Sequence, residues 1–214
     1  AAIDRARAGI DHVEDLPAAR QLEQRKVTDQ VRPRVGERML ERPSHPRLRA
    51  EMDKLIDWLE HSVPEQLGFG IAHGDFRIDN LLFGKNELRI RAVVDWELST
   101  LGHPLADFAY HAMMYHMPPD IVAGLGGADP LALALPTEAD YIAAYCKRRG
   151  LDKIANWNFY LAFSFFRLAA IFHGIKGRVL RGNASSATAT ERAAAFPRLA
   201  RLAREAMERC EAAD

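Results

Sequence analysis

The stretch IAHGDFRIDNLLFGKNELRIRAVVDWELSTLGHPLADFAY, residues 71–110, carries the most information about the fold. Leu81-Leu82-Phe83 and Leu88 to Val94 are apolar, partly β-branched runs separated by Gly84-Lys85-Asn86-Glu87. This pattern predicts a β-hairpin with a four-residue loop. Asp75 and Asn80 precede the first strand, and Asp95 follows the second. Antiparallel pairing brings the start of one strand to about 5 Å from the end of the other. The hairpin should therefore gather Asn80 and Asp95 at its open end, with Asp75 on the loop leading in. Two carboxylates brought together repel unless a cation resolves the conflict. Oxygen donors without a cysteine or a histidine pair suit Mg²⁺ rather than Zn²⁺.

Outward from this stretch the chain reads as helical. Residues 1–47 are polar and weakly patterned, interrupted by Pro33, Pro43 and Pro46. Leu48, Met52, Leu55, Ile56, Leu59 and Val63 recur at helical spacing, which predicts an amphipathic helix over 47–62 ended by Pro64. A helix face begins at Leu105 and stops at Met117-Pro118-Pro119, and residues 120–136 form a loop or short-helix insert. Thr137-Glu138-Ala139-Asp140 resembles a capping box that opens a helix to Arg149, closed by Gly150. An apolar helix is expected over 153–173, a low-complexity mobile stretch over 182–190, and a last helix from Pro197 to Ala212.

Composition narrows the function. The chain has 214 residues, with 29 Lys plus Arg against 29 Asp plus Glu. That balance argues against a nucleic-acid partner. Ala155 to Phe166, the longest apolar run, is broken by Asn156, Asn158 and Ser164 and stopped by Arg167, so it reads as a core helix rather than a membrane span. Cys146 and Cys210 give no disulfide framework, and with no leader visible a cytoplasmic location is expected. His111 and His116 are spaced too poorly on a helix to suggest a metal pair. Tyr110, Met113, Met114 and Tyr115 suit core packing, with an acceptor pocket as the alternative. Arg167, inside an apolar helix, needs a partner and is expected in an ion pair or on an anion.

Asp75 and Asn80 are five residues apart, and Asp95 lies beyond a hairpin. That is the spacing of the catalytic loop of phosphoryl-transfer kinases. HGDFRIDNLLF and VVDWELSTLGHPLADFAY, together with FRLAAIFHGI and the GNASSA stretch, resemble the aminoglycoside phosphotransferase and choline kinase group. The closer resemblance is to the branch that occurs fused with, or beside, acyl-CoA dehydrogenases, and it covers about residues 16–210.

The resemblance implies a mainly α fold with a small hairpin, the C-terminal lobe of a protein-kinase-like enzyme. It implies that Asp75 orients or deprotonates an acceptor hydroxyl, and that Asn80 and Asp95 hold Mg²⁺ on the phosphates of ATP or GTP. His73 and Gly74 would set the loop backbone, and Asp107 would buttress it. Tyr110, Arg167 and His173 are candidate acceptor contacts. Residues 1–214 are taken as one lobe, with the catalytic loop and metal hairpin at 71–110 and an acceptor region at 111–214.

Nothing before residue 71 reads as a phosphate-covering sheet, and Lys26 and Lys54 sit in polar or helical contexts. An N-lobe is therefore expected to be absent from this chain, which begins at Ala1 and reads as a piece of a longer protein. Apolar surface, and with it self-association as a homodimer, is expected where that lobe would dock. Between Lys153 and Thr190 there is no Asp or Glu, but Lys153, Arg167, Lys176, Arg178 and Arg181 are present. This favours an anionic or apolar acceptor, such as a hydroxy acid or hydroxyacyl-CoA, over a polycation. The competing expectation is an inactive kinase-like remnant used as a binding or scaffold module.

Overall fold

The structure is a computed structural model that describes residues 46–65, 70–122, 124–180, 182 and 188–212. These belong to one unit, Glu41–Asp214. The expectations for residues 1–45 and 183–187 fall outside the described residues.

Helix α1, Pro46–His61, turns Met52, Leu55 and Leu59 inward, and all three are buried. Spacings of three and four put these side chains on one face, which packs against the two long C-terminal helices. Those helices, α4 at Trp157–Leu180 and α5 at Ala189–Glu211, form the main body of the core. Phe165, Phe166 and Leu161 of α4 meet a core that includes Phe196, Leu199, Ala200 and Ala203 of α5. By length and composition alone α4 could cross a membrane, but here most of its apolar residues are buried in this core.

Both helices run further than the sequence pattern indicated. Helix α4 passes through Gly174 and Gly177 to Leu180. Two helix-interior glycines cost about 1 kcal/mol each, which packing against α5 offsets. Helix α5 starts at Ala189 and carries Pro197 in its interior rather than at its start. The proline costs about 3 kcal/mol. Complete burial of the adjoining Phe196 and Leu199 contributes about 1.5–3 kcal/mol each and outweighs it.

Between α1 and the long helices lie two small antiparallel sheets and two shorter helices. Strand β1, Gly70–Ala72, pairs with β4, Thr100–Gly102, in the register Ile71↔Leu101 and Ala72↔Thr100. This clasp was not anticipated, because three residues are too few to show a period. Strands β2, Leu81–Gly84, and β3, Glu87–Val93, form the expected hairpin. Its loop is tighter than the four residues expected, because Gly84 pairs with Glu87 and leaves only Lys85-Asn86 at the turn. A Cβ on Gly84 would lie 2.5 Å from the exposed Glu87 side chain, which would have to swing aside to admit one.

Helix α2, Leu105–Ala112, continues as a 3₁₀ turn to Tyr115, and α3 spans Glu138–Arg149. The expected cap of α3 is present: Thr137 Oγ1 accepts from Asp140 N at 3.1 Å, and Gly150 closes the helix in the left-handed region. The insert between α2 and α3 is built of turns. Leu125 N donates to Met114 O at 2.8 Å, and Tyr115 hydroxyl donates to Pro136 O at 2.9 Å.

Candidate active site

The β1–β4 clasp brings Ala72 beside Thr100, so residues 73–99 leave the body and return at one point. The residues singled out in the sequence are concentrated in this excursion. Its first turn reverses at Gly74, whose φ is +84°. A Cβ there would lie 2.3 Å from Leu98 O, so no other residue fits without a backbone shift.

The loop is held from within by His73. This ring is 2% exposed; its Nδ1 accepts from Asp75 N at 3.2 Å and its Nε2 contacts Val94 O at 2.8 Å. A backbone N–H facing Nδ1 requires a lone pair there, so the proton sits on Nε2 and donates to Val94 O. His73 thereby ties the loop before β2 to the residue preceding Asp95. The indole of Trp96 covers it, with ring centroids 4.6 Å apart.

The loop is also held from α2. Both oxygens of Asp107 accept backbone N–H groups, from His73 at 2.5 Å and from Gly74 at 2.9 Å. These are charge-assisted bonds to the two amides that set the turn.

Asn80 is buried at the start of β2, where its Nδ2 donates to Asp75 O at 2.9 Å and lies 3.3 Å from Asp75 Oδ2. With the amide nitrogen committed to Asp75, Oδ1 is the atom that remains for a cation. Val94 N donates to Asn80 O at 3.0 Å, which fixes the strand ends side by side and puts Asp95 next in sequence. Asp95 is exposed and left-handed, at φ +69° and ψ +51°. That conformation costs a non-glycine residue about 1–2 kcal/mol. It also turns the chain sharply out of β3 into the 3₁₀ turn Trp96–Leu98.

The fit to a metal follows from this donor set. One carboxylate at Asp95 and one amide oxygen at Asn80 are hard oxygen donors. Among the described residues no three His, Cys, Asp or Glu side chains converge on a metal position. Such an incomplete shell suits Mg²⁺, which keeps its waters and takes further oxygens from substrate phosphates. Cys146 is buried on α3, and His116 is committed to Glu138 at 2.8 Å.

Of the three candidate acceptor contacts, two touch the loop. Arg167, halfway along α4, donates from Nη2 to Gly74 O, and its guanidinium lies 4.9 Å from the centre of the Tyr110 ring. Among the described residues its partners are a carbonyl and a ring face, not the carboxylate of an ion pair. Tyr110 is buried and turns its hydroxyl toward the Asp75 carboxylate. Burial, and then the Asp75 charge, hold this phenol above its usual range against the opposing pull of Arg167. His173 lies further along α4 and packs its ring on Phe196, centroids 4.9 Å apart.

Nothing in the sequence marked Trp96 as the cover of His73. His103 Nδ1 accepts from Leu105 N at 3.1 Å at the start of α2, the helix that carries Asp107. Its Nε2 is buried without a partner among the described residues. Large apolar side chains cluster on the excursion and its clasp. Ile71 is 68% exposed and its cross-strand partner Leu101 46%, while Phe83 and Ile90, also paired, are each 48% exposed.

A helical body with a pinned HGD loop, an Asn five residues on and an Asp beyond a hairpin defines the C-terminal lobe of a kinase-like phosphotransferase. Residues 1–163 match the phosphotransferase enzyme family APH, and the chain belongs to that family. Among its relatives, acyl-CoA dehydrogenase family member 10 of Mus musculus is 46% identical over 154 residues, covering 71% of this chain and 14% of that protein. Acyl-CoA dehydrogenase family member 11 of Homo sapiens is 41% identical over 137 residues, 63% of this chain and 18% of that protein. A Ralstonia eutropha crystal structure, described as that of a candidate aminoglycoside phosphotransferase, superposes with a TM-score of 0.74 at 41% identity. It is matched over 87% of this chain and 54% of its own. The chain thus spans about half of that structure and less than a fifth of these two curated relatives.

Proposed function

We propose that this chain is the catalytic C-lobe of an ATP- or GTP-dependent phosphotransferase whose acceptor is the hydroxyl of a hydroxy acid or hydroxyacyl-CoA. The observation that carries the phosphotransferase reading is the Asp75–Asn80 pair, held in a loop that both Asp107 and His73 pin. Phosphoryl transfer asks for positioning and charge neutralisation more than covalent chemistry. Asp75 would orient the acceptor hydroxyl and receive its proton as that oxygen bonds to the γ-phosphorus and the bond to the β,γ-bridging oxygen breaks, releasing the nucleoside diphosphate. Asn80 Oδ1 and the Asp95 carboxylate would hold Mg²⁺, which when bound neutralises charge on the nucleotide phosphates.

The acceptor class rests on charge. No Asp or Glu occurs between Lys153 and Thr190, so α4 offers nothing to balance a polyamine. The names of the curated relatives, acyl-CoA dehydrogenase family members, favour acyl substrates. The unmatched part of the longer relatives leaves room for the phosphate-covering lobe, and the exposed Phe83, Ile90, Ile71 and Leu101 offer an apolar face for it.

The test is Mg²⁺-dependent nucleotide consumption by the full-length protein with a panel of hydroxyacyl-CoA thioesters, hydroxy acids and kanamycin-type aminoglycosides. Turnover with the acyl compounds is expected, and Asp75→Asn should cut it by about 10²–10⁴-fold. Turnover with aminoglycosides alone would refute the acceptor class. No turnover with any acceptor would favour the inactive remnant.

A further inference from the structure

The peptide group joining Gly74 to Asp75 is fixed at both of its polar atoms. Its carbonyl oxygen accepts from Arg167 Nη2, and its N–H donates to His73 Nδ1 at 3.2 Å. The preceding amide, Gly74 N, is held by Asp107 at 2.9 Å. Three elements therefore converge on one turn: α2 through Asp107, the loop itself through His73, and α4 through Arg167. The same guanidinium covers the ring of Tyr110, whose hydroxyl faces the Asp75 carboxylate. Asp107 and Tyr110 are three residues apart on α2, so they share a helix face toward the loop.

We propose that Arg167 is a positioning residue that sets Asp75 by two routes, the Gly74 carbonyl and the Tyr110 ring. The backbone route fixes the plane of the peptide from which the Asp75 side chain springs. The ring route braces the phenol that faces the carboxylate. A planar guanidinium can donate in its own plane while it lies over an aromatic face, whereas an ammonium has neither the plane nor the fork. The two routes therefore need arginine and not merely a cation. Its catalytic meaning rests on the phosphotransferase reading, but the tether itself does not.

The experiment uses the full-length protein, wild type, Arg167→Lys and Tyr110→Phe, with two readouts. Amide hydrogen exchange is followed at His73, Gly74 and Asp75. Kinetics are followed with MgATP and a hydroxyacyl-CoA acceptor. Arg167→Lys should exchange faster at Asp75 N–H by about tenfold. It should also lose about 10–100-fold in kcat with both KM values kept within about twofold. Tyr110→Phe keeps the ring under the guanidinium, so it should leave exchange unchanged and lower kcat alone.

Exchange and kcat unchanged in Arg167→Lys would overturn the proposal. A raised acceptor KM with kcat and exchange intact would also overturn it, by placing Arg167 on the acceptor instead. If the exchange response appeared while the wild type consumed no nucleotide with any acceptor, the phosphotransferase reading would fall and the tether would stand.

Discussion

Replacing Asp107 with asparagine tests what this side chain does for the loop. Each carboxylate oxygen accepts one backbone N–H, His73 at 2.5 Å and Gly74 at 2.9 Å. An asparagine keeps one oxygen and sets an NH₂ against the other donor. One charge-assisted bond, worth about 1.5–3 kcal/mol, becomes a neutral one worth about 0.5–1.5 kcal/mol. The second N–H loses its acceptor in a part-buried turn, at a cost of about 1–3 kcal/mol. The sum is a loss of about 2–4 kcal/mol. If Asp107 served only as an acid in the first turn of α2, the loss would be about 0.3–1 kcal/mol. The two roles are thus separated by more than the error of a denaturation experiment. Thermal unfolding can be followed by the fluorescence of the three tryptophans, among them Trp96, whose ring sits against His73. The larger loss should lower Tm by about 5–15 °C in a domain of this size. A Tm within about 2 °C of wild type would mean that the two hydrogen bonds do not hold the loop.

Asp95→Gly should raise stability by about 1 kcal/mol, because glycine takes the left-handed backbone without penalty, while Mg²⁺-dependent turnover is lost; a destabilised variant in thermal melts would contradict the backbone reading. Burial holds the imidazoles of His103 and His111 below their usual range, so folding favours their neutral forms. Their contribution is complete above the unfolded pKa of about 6.5 and is lost as pH falls through the lower folded value, so urea midpoints should decline below about pH 6.5. At Glu138 burial opposes ionisation, but the bonds from His116 and Trp157 hold its carboxyl below the usual range. Its share is present above the ordinary glutamate pKa and lost on further acidification, so Glu138→Gln should flatten the urea midpoint against pH below about 4.5.

What was legible in the sequence was local. The spacing of Asp75, Asn80 and Asp95 around two apolar runs is a property of a few dozen consecutive residues, and the hairpin follows from it. The helices with clean periodicity or caps, α1 and α3, lie within a residue of where the pattern put them. The partner of Arg167 was not legible, because Gly74 lies 93 residues away and a carbonyl oxygen has no sequence signature. The β1–β4 clasp was hidden for the same reason, since its pairing is decided by where the hairpin ends meet. Pro197 misled because a breaker rule weighs one residue, whereas the core weighs all of α5.

The clasp between Ala72 and Thr100 gives this lobe a kind of modularity. Everything beyond it, out to the Lys85-Asn86 turn, is a self-contained cartridge hung from a neck of two short strands, steadied at its root by Asp107 and Arg167. Sequence drift at the tip can change length and chemistry there without reaching the helical body. A one-residue slip at the neck would rotate the whole cartridge relative to both anchors. Inherited variation should therefore accumulate at the far end and stay rare at the neck, which makes the neck, rather than the tip, the place where such a lobe would first lose its activity.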